Sequence, residues 1–209
     1  LPVQILSDVI LLRSWSNQTV DGDISTCVSV AEDSQAWPLV TSTNDNCLGS
    51  DCPMYKDCFV VKARKKAMDA DVVVVNGENS AEGNGMLPSS VRQIYDSGAD
   101  VITGGNHSLR RREVYKVLDE EETLLRPVNF HANAPGRGVC VLDFLKYRFA
   151  VVNLQGLAYM VDHHRDPFAA IDEVLAGLDT PNILVDFHAE ATAEKLSIGF
   201  YLDGRVSAV

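Results

Sequence analysis

The sequence predicts a layered α/β fold preceded by a helical, loop-rich cysteine region. Three observations carry that expectation. Apolar runs of strand length alternate with helical spacing after Asp69, polar residues gather at the carboxyl ends of those runs, and three cysteines crowd between residues 47 and 58.

Taken in order, residues 3–12 place apolar side chains three and four apart, the spacing of an amphipathic helix. From Ser14 to Pro53 the composition turns to Ser, Thr, Asn, Asp and Gly, which predicts loops and short turns with little core of their own. Helical spacing resumes over 54–69 through Phe59, Val60, Ala63 and Ala67, with a basic face of Lys62, Arg64, Lys65 and Lys66. A buried-strand run at Val72–Val75, a Gly-rich turn at 77–85 and a helix near 88–97 then set up a βαβ rhythm. Strands follow at 100–103, 138–143, 148–153 and 182–186, helices near 167–178 and 190–200, and a last strand at 205–209. The domain boundary is expected between 1–69, the cysteine region, and 70–209, the α/β part.

Composition narrows the function. The chain has 209 residues, 46% apolar and 22% charged, with a net charge of −11 and a pI near 4.8. Acidity on that scale argues against a protein that coats DNA or a membrane surface, since binding a polyanion depends on clustered Lys and Arg. No run approaches the roughly 18 apolar residues of a membrane span, and the start at Leu1 carries no basic leader or initiator Met. The expectation is a cytoplasmic, processed or excised segment with no membrane partner.

Three strand ends carry Asn76-Gly77-Glu78-Asn79, Gly105-Asn106-His107 and Asp186-Phe187-His188-Ala189-Glu190. Carboxylate, amide oxygen and imidazole nitrogen together suit a divalent transition metal better than calcium. Taken singly, Glu78 reads as a loop carboxylate, His188 as a core histidine and Asn106 as a turn former. Their coincidence on the carboxyl ends of strands, where α/β folds place their sites, favours chemistry.

Those residues lie in motifs that resemble the YmdB family of calcineurin-like metallophosphoesterases: Val-Asn-Gly-Glu-Asn at 75–79, Gly-Ala-Asp-Val-Ile-Thr-Gly-Gly-Asn-His at 98–107 and Arg-Pro-Val-Asn-Phe at 126–130. The resemblance continues through Val-Asn-Leu-Gln-Gly at 152–156, Asp-Phe-His-Ala-Glu-Ala-Thr at 186–192 and the stretch 201–209. It implies a layered sheet of metallophosphoesterase type, a dinuclear metal centre and hydrolysis of phosphodiesters, 2′,3′-cyclic nucleotides among them. It further implies Glu78 as the bridging carboxylate, Asn79 on one metal, Asn106 and His188 on the other, and His107 as the acid beside the phosphate. The strand end Gly-Asp and the motif Gly-Thr-His-Thr-His, which the family uses for further ligands, do not occur in these residues. The expectation is therefore a truncated domain with weak single-metal binding and little turnover.

Cys47, Cys52 and Cys58 follow the spacing C-x4-C-x5-C, with Cys27 upstream and Cys140 in an apolar strand as a packing residue. Spacing alone leaves zinc, an iron–sulfur cluster and unligated thiols all open. The surrounding words, including Ser14-Trp15-Ser16-Asn17, Gln35-Ala36-Trp37-Pro38 and the run Cys47–Phe59, resemble the iron–sulfur region of DinG-type DNA helicases. That resemblance implies a [4Fe–4S] cluster on Cys47, Cys52 and Cys58, with Cys27 the available substitute for a fourth ligand, and weak contact with single-stranded DNA. No G-x-x-x-x-G-K-[ST] occurs, so ATP-driven unwinding is not expected of these residues. The two resemblances meet inside Ala70–Asn76, so the chain reads as a chimera. The competing expectations are a metal-dependent phosphodiesterase-like domain, an iron–sulfur DNA-binding fragment, and an engineered or recombined chimera with no activity.

Overall fold

The computed structural model describes residues 2–43, 46–161 and 164–209. They form two compact units, 1–70 and 71–209.

The N-terminal unit is built on α1 (Val3–Ser16), the short α2 (Trp37–Val40) and α3 (Phe59–Met68), joined by single turns of 3₁₀ helix. Helix α1 extends four residues beyond the predicted end, but of its apolar residues only Leu12 is fully buried, while Val3, Leu6, Ile10 and Leu11 remain exposed. Its apolar residues occupy more than one face, so they cannot all reach one small core. That core holds Leu12, Cys27, Val30, Ala36 and Trp37. Trp15 meets Trp37 edge to face at 5.8 Å, and the Trp37 indole donates to the Ala31 carbonyl at 2.9 Å. Asp8 ties α1 to the following loop by accepting from the Ser34 hydroxyl at 2.7 Å.

The C-terminal unit begins with a βαβ element: β1 (Val74–Asn76), α4 (Pro88–Asp96) and β2 (Val101–Thr103), with the two strands parallel. Pro88 starts α4 where its missing N–H costs nothing. Val91, Ile94 and Tyr95, three and four apart, turn toward Met86, Ile102, Val114, Leu118 and Leu124. A six-residue helix, α5 (Tyr115–Glu120), supplies Leu118 to this core; the sequence pattern did not announce it, because six residues are too few to show a helical period.

A three-stranded sheet follows, with β3 (Val139–Asp143) antiparallel to β4 (Arg148–Gln155) and β5 (Ile183–His188) parallel to β4. Helix α6 (Pro167–Gly177), capped by the Asp166 carboxylate accepting from the Phe168 N–H at 2.9 Å, covers it together with α7 (Thr192–Leu202). Ala150, Val152, Leu154, Ile171, Ile183, Ile198 and Leu202 form the core beneath. Val101, Leu125, Cys140 and Val151 fill a further cluster that includes the flank of Val74. The final strand predicted at 205–209 is reduced to one bridge, Ala208 to Leu184. Residues 203–206 turn instead, with Gly204 at a φ of +72°, so little extended chain is left to pair.

Candidate metal centre

The C-terminal unit brings all five strand-end residues singled out in its sequence into one cluster. Glu78 and Asn79 sit in the turn after β1, Asn106 and His107 in the turn after β2, and His188 is the last residue of β5.

Local sequence explains each placement. Asn76 closes β1 by accepting from the Glu78 N–H at 3.2 Å, while its amide donates to the Gly104 carbonyl at 3.1 Å and to Asp186 at 3.3 Å. The turn after β2 is stapled by Ser108, whose hydroxyl accepts from the Gly105 N–H at 2.9 Å and donates to the Gly105 carbonyl at 2.7 Å. Gly105 leaves the room this packing needs: a Cβ there would lie 2.7 Å from both Glu78 Cδ and the His188 ring.

Glu78 is 3% exposed and forms the hub. Its Oε1 accepts from the His107 backbone N–H at 2.7 Å and stands 3.6 Å from His107 Nδ1. Its Oε2 stands 3.4 Å from His188 Nε2 and 3.5 Å from Asn79 Nδ2. His188 Nε2 lies 2.8 Å from Asn106 Oδ1, and His107 Nδ1 lies 2.8 Å from Asn79 Oδ1. An amide oxygen only accepts, so a hydrogen bond in either pair needs the proton on the ring nitrogen.

The donor set divides by geometry. Glu78 Oε2 and Asn106 Oδ1 both face His188 Nε2, at 3.4 and 2.8 Å, an arrangement of atoms that a small cation could share. Among the described residues no group of three or more His, Cys, Asp and Glu side chains could hold a metal, so this set relies on an amide oxygen. Gln155, the register partner of His188, is wholly buried, and among the described residues neither its Oε1 nor its Nε2 has a partner. Buried amides are nearly always satisfied, so this end of β4 suits a polar group that the described residues do not supply.

Sequence reasoning missed Asn153. It is fully buried; its Oδ1 accepts from the Gly104 N–H at 3.0 Å and its amide donates to the carbonyls of Gly104 and Asp186 at 3.2 and 3.3 Å. It therefore locks the ends of β2, β4 and β5 together. The signal was present as a second Val-Val-Asn, at 151–153, echoing 74–76.

In the N-terminal unit, Cys47, Cys52 and Cys58 line one cavity of about 300 Å³, together with Tyr55 and Arg64. Cys27 does not line it; at 4% exposure it belongs to the apolar core with Leu12 and Trp37, its sulfur 3.6 Å from the Ser29 hydroxyl. Cys140 is buried on β3 as a packing residue, and burial pushes its thiol up to about 11. None of the five cysteines forms a disulfide. No described helix is long and apolar enough to cross a membrane.

Comparison with known proteins finds relatives of two kinds, and the family match starts at the first residue of α3. Residues 59–209 match the family model described as YmdB-like protein. A 2′,3′-cyclic-nucleotide 2′-phosphodiesterase of Bacillus subtilis is 43% identical over 138 residues, 65% of this chain and 52% of that protein. The chain thus spans about half the length of this curated relative. A crystal structure of a hypothetical protein from Thermus thermophilus superposes with a TM-score of 0.66 at 38% identity, covering 70% of this chain and 57% of the other. The ATP-dependent DNA helicase YoaA of Haemophilus influenzae is 50% identical over 72 residues, 34% of this chain but 11% of the helicase. Both resemblances read from the sequence are present, joined in one chain.

Proposed function

Since the chain belongs to the YmdB-like family over residues 59–209, we propose that its C-terminal unit is a metal-dependent phosphodiesterase-type domain acting on 2′,3′-cyclic nucleotides. The observation that carries this is the convergence of Glu78, Asn106 and His188 from three strand ends to within 3.4 Å of His188 Nε2.

These three residues would hold one divalent cation, with Asn79 on the far side of the Glu78 carboxylate. Imidazole nitrogen beside carboxylate and amide oxygen favours manganese or iron over calcium. Such an ion supplies Lewis-acid polarisation of the phosphoryl oxygens. The remaining work falls to the polypeptide. Asn79 accepts from His107 Nδ1, which leaves Nε2 as the atom able to pass a proton to a departing oxygen. The Glu78 carboxylate pins the His107 backbone, so acid and metal ligand move as one piece. One cation on three protein donors makes for weak binding and slow turnover by this polypeptide.

The test is manganese binding by equilibrium dialysis alongside hydrolysis of 2′,3′-cyclic AMP. We expect slow hydrolysis that His188→Ala abolishes and a loss of manganese affinity of at least about tenfold in Glu78→Ala. Manganese binding indifferent to both substitutions would refute the assignment.

A second reading concerns the N-terminal unit, and the cavity shared by three cysteines favours it. Thiolates are soft ligands suited to iron–sulfur clusters. Cys47, Cys52 and Cys58 would hold a [4Fe–4S] cluster, while Cys27 lies in the apolar core and not in their cavity. With Lys62, Arg64, Lys65 and Lys66 on α3, such a region would touch single-stranded DNA weakly. Iron with acid-labile sulfide after anaerobic purification, lost in Cys52→Ala, supports this reading. Neither manganese binding nor sulfide would leave an inactive chimera.

A further inference from the structure

A separate cavity of about 410 Å³ opens beside the metal-centre residues and shares one wall with them. Asn106, whose side chain meets His188, also lines this cavity with Arg110, Phe130, His131, Ala134 and His164. The other walls have a consistent chemistry. Phe130, 4% exposed, stacks on the His164 ring at 4.0 Å with 16° between planes, so the two rings form one aromatic stack in the cavity wall. Arg110 and His131 are both exposed, and among the described residues no carboxylate lines the cavity. Among the described residues Arg110 has no ion-pair partner.

The walls are also built to stay in place. The buried Arg126 guanidinium donates to the carbonyls of Pro127, Ala134, Pro135 and Gly136, at 2.8, 3.4, 3.4 and 3.3 Å. An arginine spent wholly on backbone carbonyls fixes the loop that carries His131 and Ala134. The Asn129 amide donates to the Arg165 carbonyl at 3.0 Å, while the Arg165 N–H donates to the Asn129 carbonyl at 3.0 Å. Those two bonds fasten the neighbours of Phe130 to the neighbour of His164.

We propose that this cavity is the nucleobase subsite: it takes the aromatic base of a nucleotide whose phosphate lies toward Asn106, and so determines which phosphodiesters the domain accepts. The volume lies within the range of about 300–1,000 Å³ typical of small-molecule sites. A planar base stacks on aromatic and imidazole faces whatever its sequence identity. Arg110 stands where an anionic ligand gains from a cation. The proposal rests on the phosphodiesterase reading for the direction of the phosphate alone.

The experiment is calorimetric titration of the full chain, in manganese-containing buffer, with adenosine 3′-monophosphate and with ribose 5-phosphate. The base-bearing ligand should bind at least about tenfold more tightly, the ratio that about 1.4 kcal/mol of stacking gives. Ala134→Trp, which fills the cavity, should bring the ratio near one. Histidine ring-proton spectra check this without that variant. Adenosine 3′-monophosphate should move two resonances that ribose 5-phosphate leaves in place, and one of them should vanish in His131→Ala. Equal affinities in the unsubstituted protein, or histidine spectra that both ligands move alike, would overturn the proposal. Base preference without hydrolysis of 2′,3′-cyclic AMP would remove the catalytic reading and keep the subsite. Hydrolysis without base preference would do the reverse.

Discussion

Gly105→Ala tests the packing of the proposed metal centre most directly. The added methyl would stand 2.7 Å from Glu78 Cδ and from the Cγ and Cδ2 of His188. Carbon atoms in ordinary contact sit about 3.5–4.0 Å apart, so one or both side chains must retreat by roughly 0.8–1.3 Å. Neither is free to do so. Glu78 is held by the His107 N–H at 2.7 Å and His188 by Asn106 at 2.8 Å. The φ of Gly105 is not in the left-handed region, so the obstacle is space and not backbone conformation. Overpacking of this kind costs about 1–3 kcal/mol. For a chain of 209 residues, at roughly 2–4 °C per kcal/mol, the melting temperature should fall by about 2–12 °C. Thermal unfolding followed by circular dichroism in chelator reads this without any metal, and a manganese titration then reads the displaced ligands. Gly199→Ala is the control: a Cβ there meets nothing within 4 Å inside α7, so the gain in helix propensity should raise stability by about 0.5–1 kcal/mol. A Gly105→Ala protein melting within about 1 °C of the parent, with manganese affinity unchanged, would refute the packing argument.

Two further outcomes are expected. The Asp172 carboxylate accepts from the Tyr201 hydroxyl and from Arg205, both at 2.6 Å, which holds its pKa below the ordinary aspartate value. A depressed folded-state pKa stabilises above the ordinary value and is lost as pH falls through the lowered one. Asp172→Asn should therefore lower the urea midpoint at neutral pH and converge with the parent in strong acid; an equal difference at both would contradict the sign. Iodoacetamide applied to the native, reduced protein should label Cys47, Cys52 and Cys58 and spare Cys27 and Cys140, as mass spectrometry of the digest would show. The first three lie at the surface or half-buried, the other two are buried, and burial holds the Cys140 thiol near 11. Labelling of Cys140 at a rate like that of Cys47 would contradict its placement.

Much of the fold was legible because its signals are local. The apolar run at 148–153 became β4, and the spacing of Val91, Ile94 and Tyr95 became the buried face of α4. Where the signal depended on a partner, it failed. The stretch 205–209 has strand-like residues but forms a single bridge, at Ala208, with Ser207 beside it bonded to Ile183, since a strand needs a neighbour along its whole length. Cys27 matched its sister cysteines in chemistry, yet an apolar core claimed it. Asn153 stood within the quoted motif 152–156 with no role assigned, although three strand ends hang on its amide.

By itself the sequence determined which donor atoms stand at the ends of β1, β2 and β5, because strand length and turn chemistry are written in neighbouring residues. Only the tertiary structure decided that Glu78, Asn106 and His188 meet around one nitrogen, and that Phe130 and His164 stack beside them. Distances of 3–4 Å between residues so far apart in the chain depend on strand register and on buried ties such as Asn153 and Arg126, and those are properties of the packed molecule.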